Sequence, residues 1–397
     1  MSPRTFALLL LAACSVNSPA SPASDASPEN PGGPDALAAF PAPLVPADFT
    51  GALDKPYIRG FQTWLTDPAF ETKWQSMLLA PIELLGGASS AYHADLARLA
   101  LPLPGGQVIC HGDPKFDNFG WQIVDGAGAF GVNDFDDSDD CPAAADALRD
   151  LLATDLWFAD PALDELALQA YVATVIDPAA AVAVDPTTEP VWTDVRAKGL
   201  MKDTSNGKLV LGGEVQAALP AEVTAVTDLI AHDPRLAMPV LDVARDVRTT
   251  GGSAGLRRFW ALVDLGGGTR TILELKEEGK PATQFGAHAT SIDPAMRLEV
   301  LKPYWWHATD AGDHFDVSFL GARFLVRDRL TRVNPKPTKL TAAQIANVIQ
   351  AEASQLGLRH RAAWPAVDRD TLTTWLRTST ATLVARWRAA YTAAGGA

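Results

Sequence analysis

One segment of the chain concentrates side chains that can transfer a phosphoryl group. Residues 110–136 contain the motif HGDPKFDN and, after a β-prone stretch, the motif NDFD. Phosphoryl transfer needs a carboxylate beside the attacking hydroxyl, oxygen ligands for Mg²⁺ and a cation on the migrating phosphate. Asp113 can supply the carboxylate and Lys115 the cation. Asn118 and Asp134 can bind the metal, provided that a tight loop and the following hairpin bring them to one centre.

A second candidate region is rich in glycine. Residues 250–255 read TGGSAG and precede a β-prone run, and Lys276 lies at the end of the next such run. Glycines let backbone N–H groups approach phosphate oxygens, and a lysine on the neighbouring strand can reach the same phosphates. Gly252, Ser253 and Gly255 are therefore candidates for covering a nucleotide. An ordinary hairpin approach is the alternative, because glycine-rich turns before strands are common.

Other charged residues are weaker candidates. Arg327 can bind a phosphate through its planar guanidinium, although a structural ion pair is the alternative. Glu299, on a predicted helix, and Glu277 are rival candidates for the acid that orients Lys276.

The elements that must position these residues follow from hydrophobic periodicity. Helices are predicted at residues 67–85, 88–100, 143–158, 163–175, 221–232, 341–356 and 370–394. Strands are predicted at residues 107–110, 121–124, 129–132, 259–264, 270–275 and 324–326, with a glycine hairpin turn at 266–268. Because strands and helices do not alternate as βαβ units, the expected fold class is α+β.

Composition narrows the class of protein. The 397 residues are 47% hydrophobic and carry a formal net charge of −14, so a globular protein that does not bind nucleic acid is expected. No apolar run reaches the roughly 18 residues of a membrane-spanning helix. Three cysteines are too few for a disulfide scaffold. Cys110 and Cys141 can pair in an exported protein or remain free thiols.

The first residues resemble a targeting signal. Residues 1–14 read MSPRTFALLLLAAC, which resembles the signal peptide and lipobox of bacterial lipoproteins. The resemblance implies that Cys14 is lipidated and anchors the protein in the cell envelope, and Ser15 favours the periplasmic face of the outer membrane. A chance apolar start on a cytoplasmic protein is the alternative. Residues 15–45 are rich in Ser, Pro and Ala and are predicted to form a disordered linker.

The acidic motifs are similar to those of a known superfamily. HGDxxxxN followed by DFD resembles the catalytic and metal loops of aminoglycoside phosphotransferases and choline kinases, which are relatives of protein kinases. The resemblance implies that Asp113 is the catalytic base or orients the acceptor hydroxyl. It implies Asn118 and Asp134 as Mg²⁺ ligands, with Asp136 as a second acidic neighbour. Lys115 would contact the γ-phosphate.

His111 belongs to the same motif and is a candidate catalytic residue. The alternative is that the acids are solvated loop residues and that His111 satisfies a buried hydrogen bond.

A closer resemblance covers more of the chain. In addition to the acidic motifs, several segments resemble the bacterial domain-of-unknown-function family 2252: YIRG at 57–60, DVAR at 242–245, GSAGLR at 252–257, LKE at 275–277 and FLVR at 324–327. The chain departs from the family pattern at Pro114, Lys115 and Asp137. The resemblance implies a two-lobed protein-kinase-like fold over residues 46–397.

The order of the motifs leaves two interpretations open. In ordinary kinases the glycine loop and its lysine precede the catalytic loop, whereas here they follow it. Either the two lobes are assembled in permuted order, or the glycine loop does not cover a nucleotide.

The functional expectation is a Mg²⁺-dependent phosphotransferase that uses ATP and acts on a small hydroxyl or amine compound. A non-catalytic, pseudokinase-like binding module at the cell envelope is the alternative, because extracytoplasmic compartments lack a maintained ATP pool. A different phosphate donor or the transfer of a nucleotidyl group is also compatible with the motifs.

Overall fold

The folded part of the chain begins earlier than predicted. The computed structural model describes residues 40–49, 51–98, 103–286, 291–293, 297–306, 314–364 and 366–396. These residues belong to one compact unit, Phe40–Ala397. Leu44 is buried and its N–H donates a hydrogen bond of 3.0 Å to Ser379 Oγ, so residues 40–45 belong to the folded unit and not to the linker. The predicted signal peptide, Cys14 and the linker up to residue 39 lie outside the described residues.

Helices and strands are both present, which confirms the α+β class. The helices are α1 Lys55–Gly60, α2 Asp67–Met77, α3 Pro81–Gly87, α4 Ser89–Ala97, α5 Ala143–Phe158, α6 Pro161–Ile176, α7 Trp192–Asp203, α8 Pro220–His232, α9 Arg297–Trp306, α10 Ala342–His360 and α11 Arg369–Ala393. The strands are β1 Gln107–Cys110, β2 Phe119–Val124, β3 Ala127–Val132, β4 Asp139–Pro142, β5 Thr204–Ser205, β6 Lys208–Leu209, β7 Val215–Ala217, β8 Val240–Asp246, β9 Arg258–Gly266, β10 Thr269–Glu277, β11 His314–Phe319, β12 Ala322–Asp328 and β13 Arg332–Val333. No helix among these described residues is long and apolar enough to span a membrane.

Most of the later strands form one antiparallel sheet. Its six strands run in the order β11-β12-β10-β9-β8-β7. The hairpin β9–β10 turns at Gly266, Gly267 and Gly268, which have φ angles of 88°, 62° and 82°. Three successive positive φ angles favour glycine, because a Cβ atom makes this conformation costly. Lys276 lies near the end of β10, opposite Arg258 on one side and Leu325 on the other.

The helical core is built around α5. This helix was predicted with the bounds that it has, and almost all its residues are buried, as expected for a helix that is surrounded by other elements. It packs against α6, α10 and α11, and it ends at Ala159, whose φ of 49° closes the helix in the left-handed conformation. Arg149 and Asp150 are charged yet buried on this helix, and their surroundings therefore matter for the site.

The predicted helix over residues 67–85 is two helices. Helix α2 ends at Met77, and α3 begins at Pro81. Proline has no N–H to donate within a helix, but it is well suited to the first helical turn, where N–H groups have no intrahelical partner. The break turns α3 so that Gly86 lies against the side chain of Lys115.

Candidate active site

The segment with the acidic motifs is closed by a disulfide. Strands β1 and β4 are antiparallel neighbours, and Cys110 on β1 is bonded to Cys141 on β4, with their Cα atoms 5.7 Å apart. Of the two states left open by the sequence, the structure therefore has the disulfide. Asp113, Asp134 and Asp136 all lie between these two cysteines, so one covalent bond fixes both ends of the segment that carries them.

Asp146, in the first turn of α5, holds the start of the loop at residues 111–118, called the HGD loop below. The N–H of His111 donates to Asp146 Oδ2 at 2.8 Å and the N–H of Gly112 donates to Asp146 Oδ1 at 2.9 Å. His360 Nε2 lies 3.2 Å from Asp146 Oδ2. Burial raises the pKa of Asp146, but the hydrogen bond and charge of His360 outweigh it, and the pKa lies below its ordinary value. The loop is thus attached to the helical core through its backbone.

Gly112 is a position where only glycine fits. Its φ is +84°, and a Cβ atom built there would lie 2.0 Å from the carbonyl oxygen of Asp137. His93 Nε2 lies 2.7 Å from the carbonyl oxygen of Gly112, and burial lowers the pKa of His93 to about 4, so the neutral ring donates this hydrogen bond. The absence of a side chain at Gly112 lets the HGD loop lie directly against residues 133–137, which carry the DFD motif and are called the DFD loop below.

Asp113 is held by three neighbouring side chains. Arg149 donates a hydrogen bond to Asp113 Oδ1. Asn118 Nδ2 donates to Asp113 Oδ2 at 3.0 Å and to the Asp113 carbonyl at 2.8 Å, and Lys115 Nζ lies 3.9 Å from Oδ2. The structure therefore brings together the three residues that the motif predicted. Arg149 was not predicted, and its signal in the sequence is that it is the one basic residue of a helix that also carries three aspartates.

The hairpin β2–β3 brings the DFD loop back beside Asn118. The N–H of Asn133 donates to the carbonyl of Asn118 at 3.0 Å. Lys276, which comes from the six-stranded sheet, lies 3.1 Å from Asp134 Oδ1 and also forms an ion pair with Asp136. The DFD loop and Lys276 on β10, which are far apart in the sequence, thus meet in one cluster.

The predicted acidic partners of Lys276 were wrong. Glu277 forms an ion pair with Arg257 at 2.9 Å, and Glu299 lies 3.4 Å from Lys302. Side chains alternate along a strand, so Glu277 points to the opposite face of the sheet from Lys276. The DFD loop supplies the partners instead.

Negative charge is crowded at the DFD loop. Burial opposes ionisation of Asp134, but the charges of Lys276 and Arg327 outweigh it, and its pKa is well below the ordinary value. Burial and the charge of Asp134 raise the pKa of Asp136. Burial, followed by the charges of Asp113 and Asp136, raises the pKa of Asp137 to about 7. The positive charge of Lys276 alone therefore does not offset the negative charge of these three aspartates.

The donor types at this cluster fit a magnesium ion. Carboxylate and amide oxygens are the ligands that Mg²⁺ takes from proteins, and Asn118, Asp134 and Asp136 supply them. After burial, the charges of Asp113 and Asp136 are what raise the pKa of Asp137, and a divalent cation would offset those charges. Within the described residues, no group of three or more His, Cys, Asp or Glu side chains forms a ready metal site. Asp134 and Asp136 bind the Lys276 ammonium.

The remaining predicted residues differ in their contacts. Lys115 Nζ lies 2.5 Å from Asp117, and although burial opposes it, the charges of Asp117 and Asp113 raise the pKa of Lys115. His111 is buried, and its Nδ1 accepts the N–H of Asp113 at 3.3 Å, a contact of the structural kind that the sequence left open. Its Nε2 has no hydrogen bond to any described residue.

Arg327 is placed behind the cluster. It is buried on β12, where it forms an ion pair with Glu274 at 2.6 Å. It is not among the residues that line the cavity described next. From this position it acts on the site through its charge, which lowers the pKa of Asp134.

One cavity of about 200 Å³ joins these groups. Its walls combine the HGD loop, the DFD loop, the glycine loop, strand β10, helix α2 and the segment between α1 and α2. The lining residues include His111, Asp113, Lys115, Asn118, Asp134, Asp136, Asp137, Gly251, Gly252, Ser253, Lys276, Gln62, Trp64 and Lys73. Gly255 does not line the cavity. Its φ of +81° and its close approach to the Leu65 side chain favour glycine at this position. Pockets for drug-sized ligands span roughly 300–1,000 Å³, so a whole nucleotide requires these walls to move apart.

Comparison with known proteins gives one match. Residues 66–178 match the model of DUF2252, a family described as an uncharacterized protein conserved in bacteria. No curated protein and no solved structure matches the chain. The matched part contains the HGD loop, the DFD loop and Asp146, whereas the glycine loop and Lys276 lie beyond it. Over residues 66–178 the chain is therefore similar to the bacterial family DUF2252, as the acidic motifs predicted, whereas the segments at 57–60 and from 242 to 327 lie outside the match.

Proposed function

We propose that this protein is a Mg²⁺-dependent phosphotransferase of the kinase-like type, which acts on a small hydroxyl or amine compound. The observation that carries the proposal is the convergence of Asp113, Asn118, Asp134 and Lys276 on one cavity, although they come from separate parts of the chain. A solvated set of loop acids would have no reason to share a cavity with a buried lysine.

Each residue has a chemical role in this proposal. Asp113, fixed by Arg149, accepts or orients the proton of the acceptor hydroxyl as its oxygen bonds to phosphorus and the bond from phosphorus to the leaving oxygen breaks. Lys115 neutralises charge on the transferred group, and Lys276 binds the remaining phosphates of the donor. Mg²⁺ held by Asn118, Asp134 and Asp136 would supply further charge neutralisation.

The kinase-like lobe arrangement is part of the proposal. The six-stranded sheet contributes Lys276 and the glycine loop to the cavity, and the helical part contributes the HGD loop. Because the sheet follows the HGD loop in the chain, this arrangement corresponds to the permuted lobe order that the sequence left open.

A thermal-shift titration with ATP and other nucleoside triphosphates, with and without Mg²⁺, tests the function. Nucleotide at about 100 times its Kd adds roughly 2.7 kcal/mol of stability by mass action. Asp134→Ala should abolish the Mg²⁺-dependent part of the shift and phosphoryl transfer, and Asp228→Ala on the exposed surface of α8 is the matched control. If Asp134→Ala binds and turns over nucleotide like the control, the assignment of the metal ligands is wrong.

A binding module at the cell envelope is the second candidate. The Cys110–Cys141 disulfide favours it, because disulfides persist in exported proteins and ATP is not maintained there. We propose export with a lipid anchor on Cys14, which is tested by comparing the membrane fraction of the wild type with that of Cys14→Ser. No stabilisation by any nucleotide in the folded wild type would favour this second candidate.

A further inference from the structure

Lys73 is a buried cation that has no ion pair with any described residue. It lies on α2, its side chain has no surface exposed to solvent, and it is among the residues that line the cavity. Its hydrogen bond, of 3.3 Å, goes to the carbonyl oxygen of Gly252 in the glycine loop. The other buried lysines of the cavity differ, because Lys115 and Lys276 each form ion pairs with aspartates.

An unpaired buried ammonium is costly to the fold. Taking a charge out of water without a partner destabilises it, and burial accordingly lowers the pKa of Lys73 to about 7, with the charge of Asp137 opposing the change. The ring of Trp64, 6.0 Å from Nζ, is a weak substitute for an anion. An anion that enters the cavity would remove this cost.

The glycine loop offers hydrogen-bond donors at the same wall. Gly251, Gly252 and Ser253 line the cavity, and their N–H groups donate to no described residue. The loop is held in place from outside the cavity, since Trp64 Nε1 donates to the carbonyl of Ala254 at 2.9 Å. Free backbone N–H groups beside an ammonium are the usual elements of an anion site.

We propose that Lys73, together with the N–H groups of Gly251–Ser253, binds a phosphate group of a phosphate chain whose reacting end lies at Asp113. The proposal rests on the proposed function and adds to it: the donor is a polyphosphate, either a nucleoside triphosphate or an inorganic chain. Lys276 and Lys115 lie at the acidic end of the cavity, and Lys73 extends the positive charge toward the glycine loop.

Isothermal titration of the full-length protein with ATP and with inorganic tripolyphosphate tests the proposal. The variants are Lys73→Met and Lys73→Arg, and Lys198→Met on the exposed face of α7 is the control. Loss of one charged hydrogen bond should weaken binding of the phosphate chain roughly 10- to 100-fold in Lys73→Met. Wild-type affinity should fall between pH 6 and pH 8, because Lys73 loses its proton and because Asp137, whose pKa burial and neighbouring charges raise to about 7, becomes negative in the same cavity. Lys73→Arg, which stays charged, should show a smaller fall than the wild type.

The stability of the variants gives an independent measurement. Lys73→Met removes an unpaired buried charge, so its urea midpoint without ligand should equal or exceed that of the wild type. Wild-type affinity and pH dependence in Lys73→Met would overturn the proposal, as would binding of neither phosphate chain to the wild type. Binding that depends on Lys73 without any phosphoryl transfer would support this site while contradicting the proposed enzyme. Tripolyphosphate binding without ATP binding would identify the inorganic chain as the ligand.

Discussion

Removal of the Cys110–Cys141 disulfide should weaken the fold by an amount that follows from the loop it closes. The two cysteines are 31 residues apart in sequence, and their bond restricts the unfolded chain. The chain-entropy relation for a loop of this length gives about 3.7 kcal/mol at 25 °C. Both side chains are buried, so Cys110→Ala with Cys141→Ala avoids placing new hydroxyl groups in the core.

Urea unfolding, followed by the fluorescence of the 11 tryptophans, measures this effect. The oxidised wild type should exceed both the reduced wild type and the double alanine variant by about 3.7 kcal/mol in its free energy of unfolding. The double variant should not respond to reductant, which separates the disulfide from other effects of the reagent. Equal unfolding energies for the oxidised and reduced wild type, with both thiols shown to be free by alkylation, would refute the reasoning.

Urea unfolding of three further variants measures how much residues around the site contribute to the stability of the fold. Gly112→Ala should destabilise the protein by about 3 kcal/mol or more, because its Cβ would overlap the Asp137 carbonyl at a positive φ; a loss below 1 kcal/mol would contradict the close approach. Arg149→Met should cost about 3–5 kcal/mol by leaving Asp113 buried without its cation, and an unchanged midpoint would show that the pair is not needed. Burial raises the pKa of Asp150 to about 8, so the wild type should lose stability as the pH rises from about 4 to 8. Asp150→Asn mimics the protonated carboxyl and should gain over the wild type across that range, whereas a difference that does not vary with pH would contradict the shift.

Local signals in the sequence predicted much of the helical core and the hairpins. Helix α5 has the predicted bounds because a stretch rich in Ala and Leu, without Gly or Pro, follows Pro142. The turn at Gly266–Gly268 follows from residues that tolerate positive φ. The loop from Asp113 to Asn118 was also predictable, because a short spacing limits how far apart two side chains can lie. These features depend on interactions between residues that are close in the sequence, so they can be predicted from the sequence alone.

The sequence by itself determined the α+β class and the residue types of the site, with Asp113, Asn118 and Asp134 within one short segment. Only the tertiary structure decided which cations pair with these acidic residues. Arg149 reaches Asp113 from α5, and Lys276 reaches the DFD loop from a sheet far along the chain, so neither pairing has a spacing that a sequence could reveal. Lys73 was missed for the same physical reason: the fold alone determines whether a lysine is solvated, paired or buried without a partner.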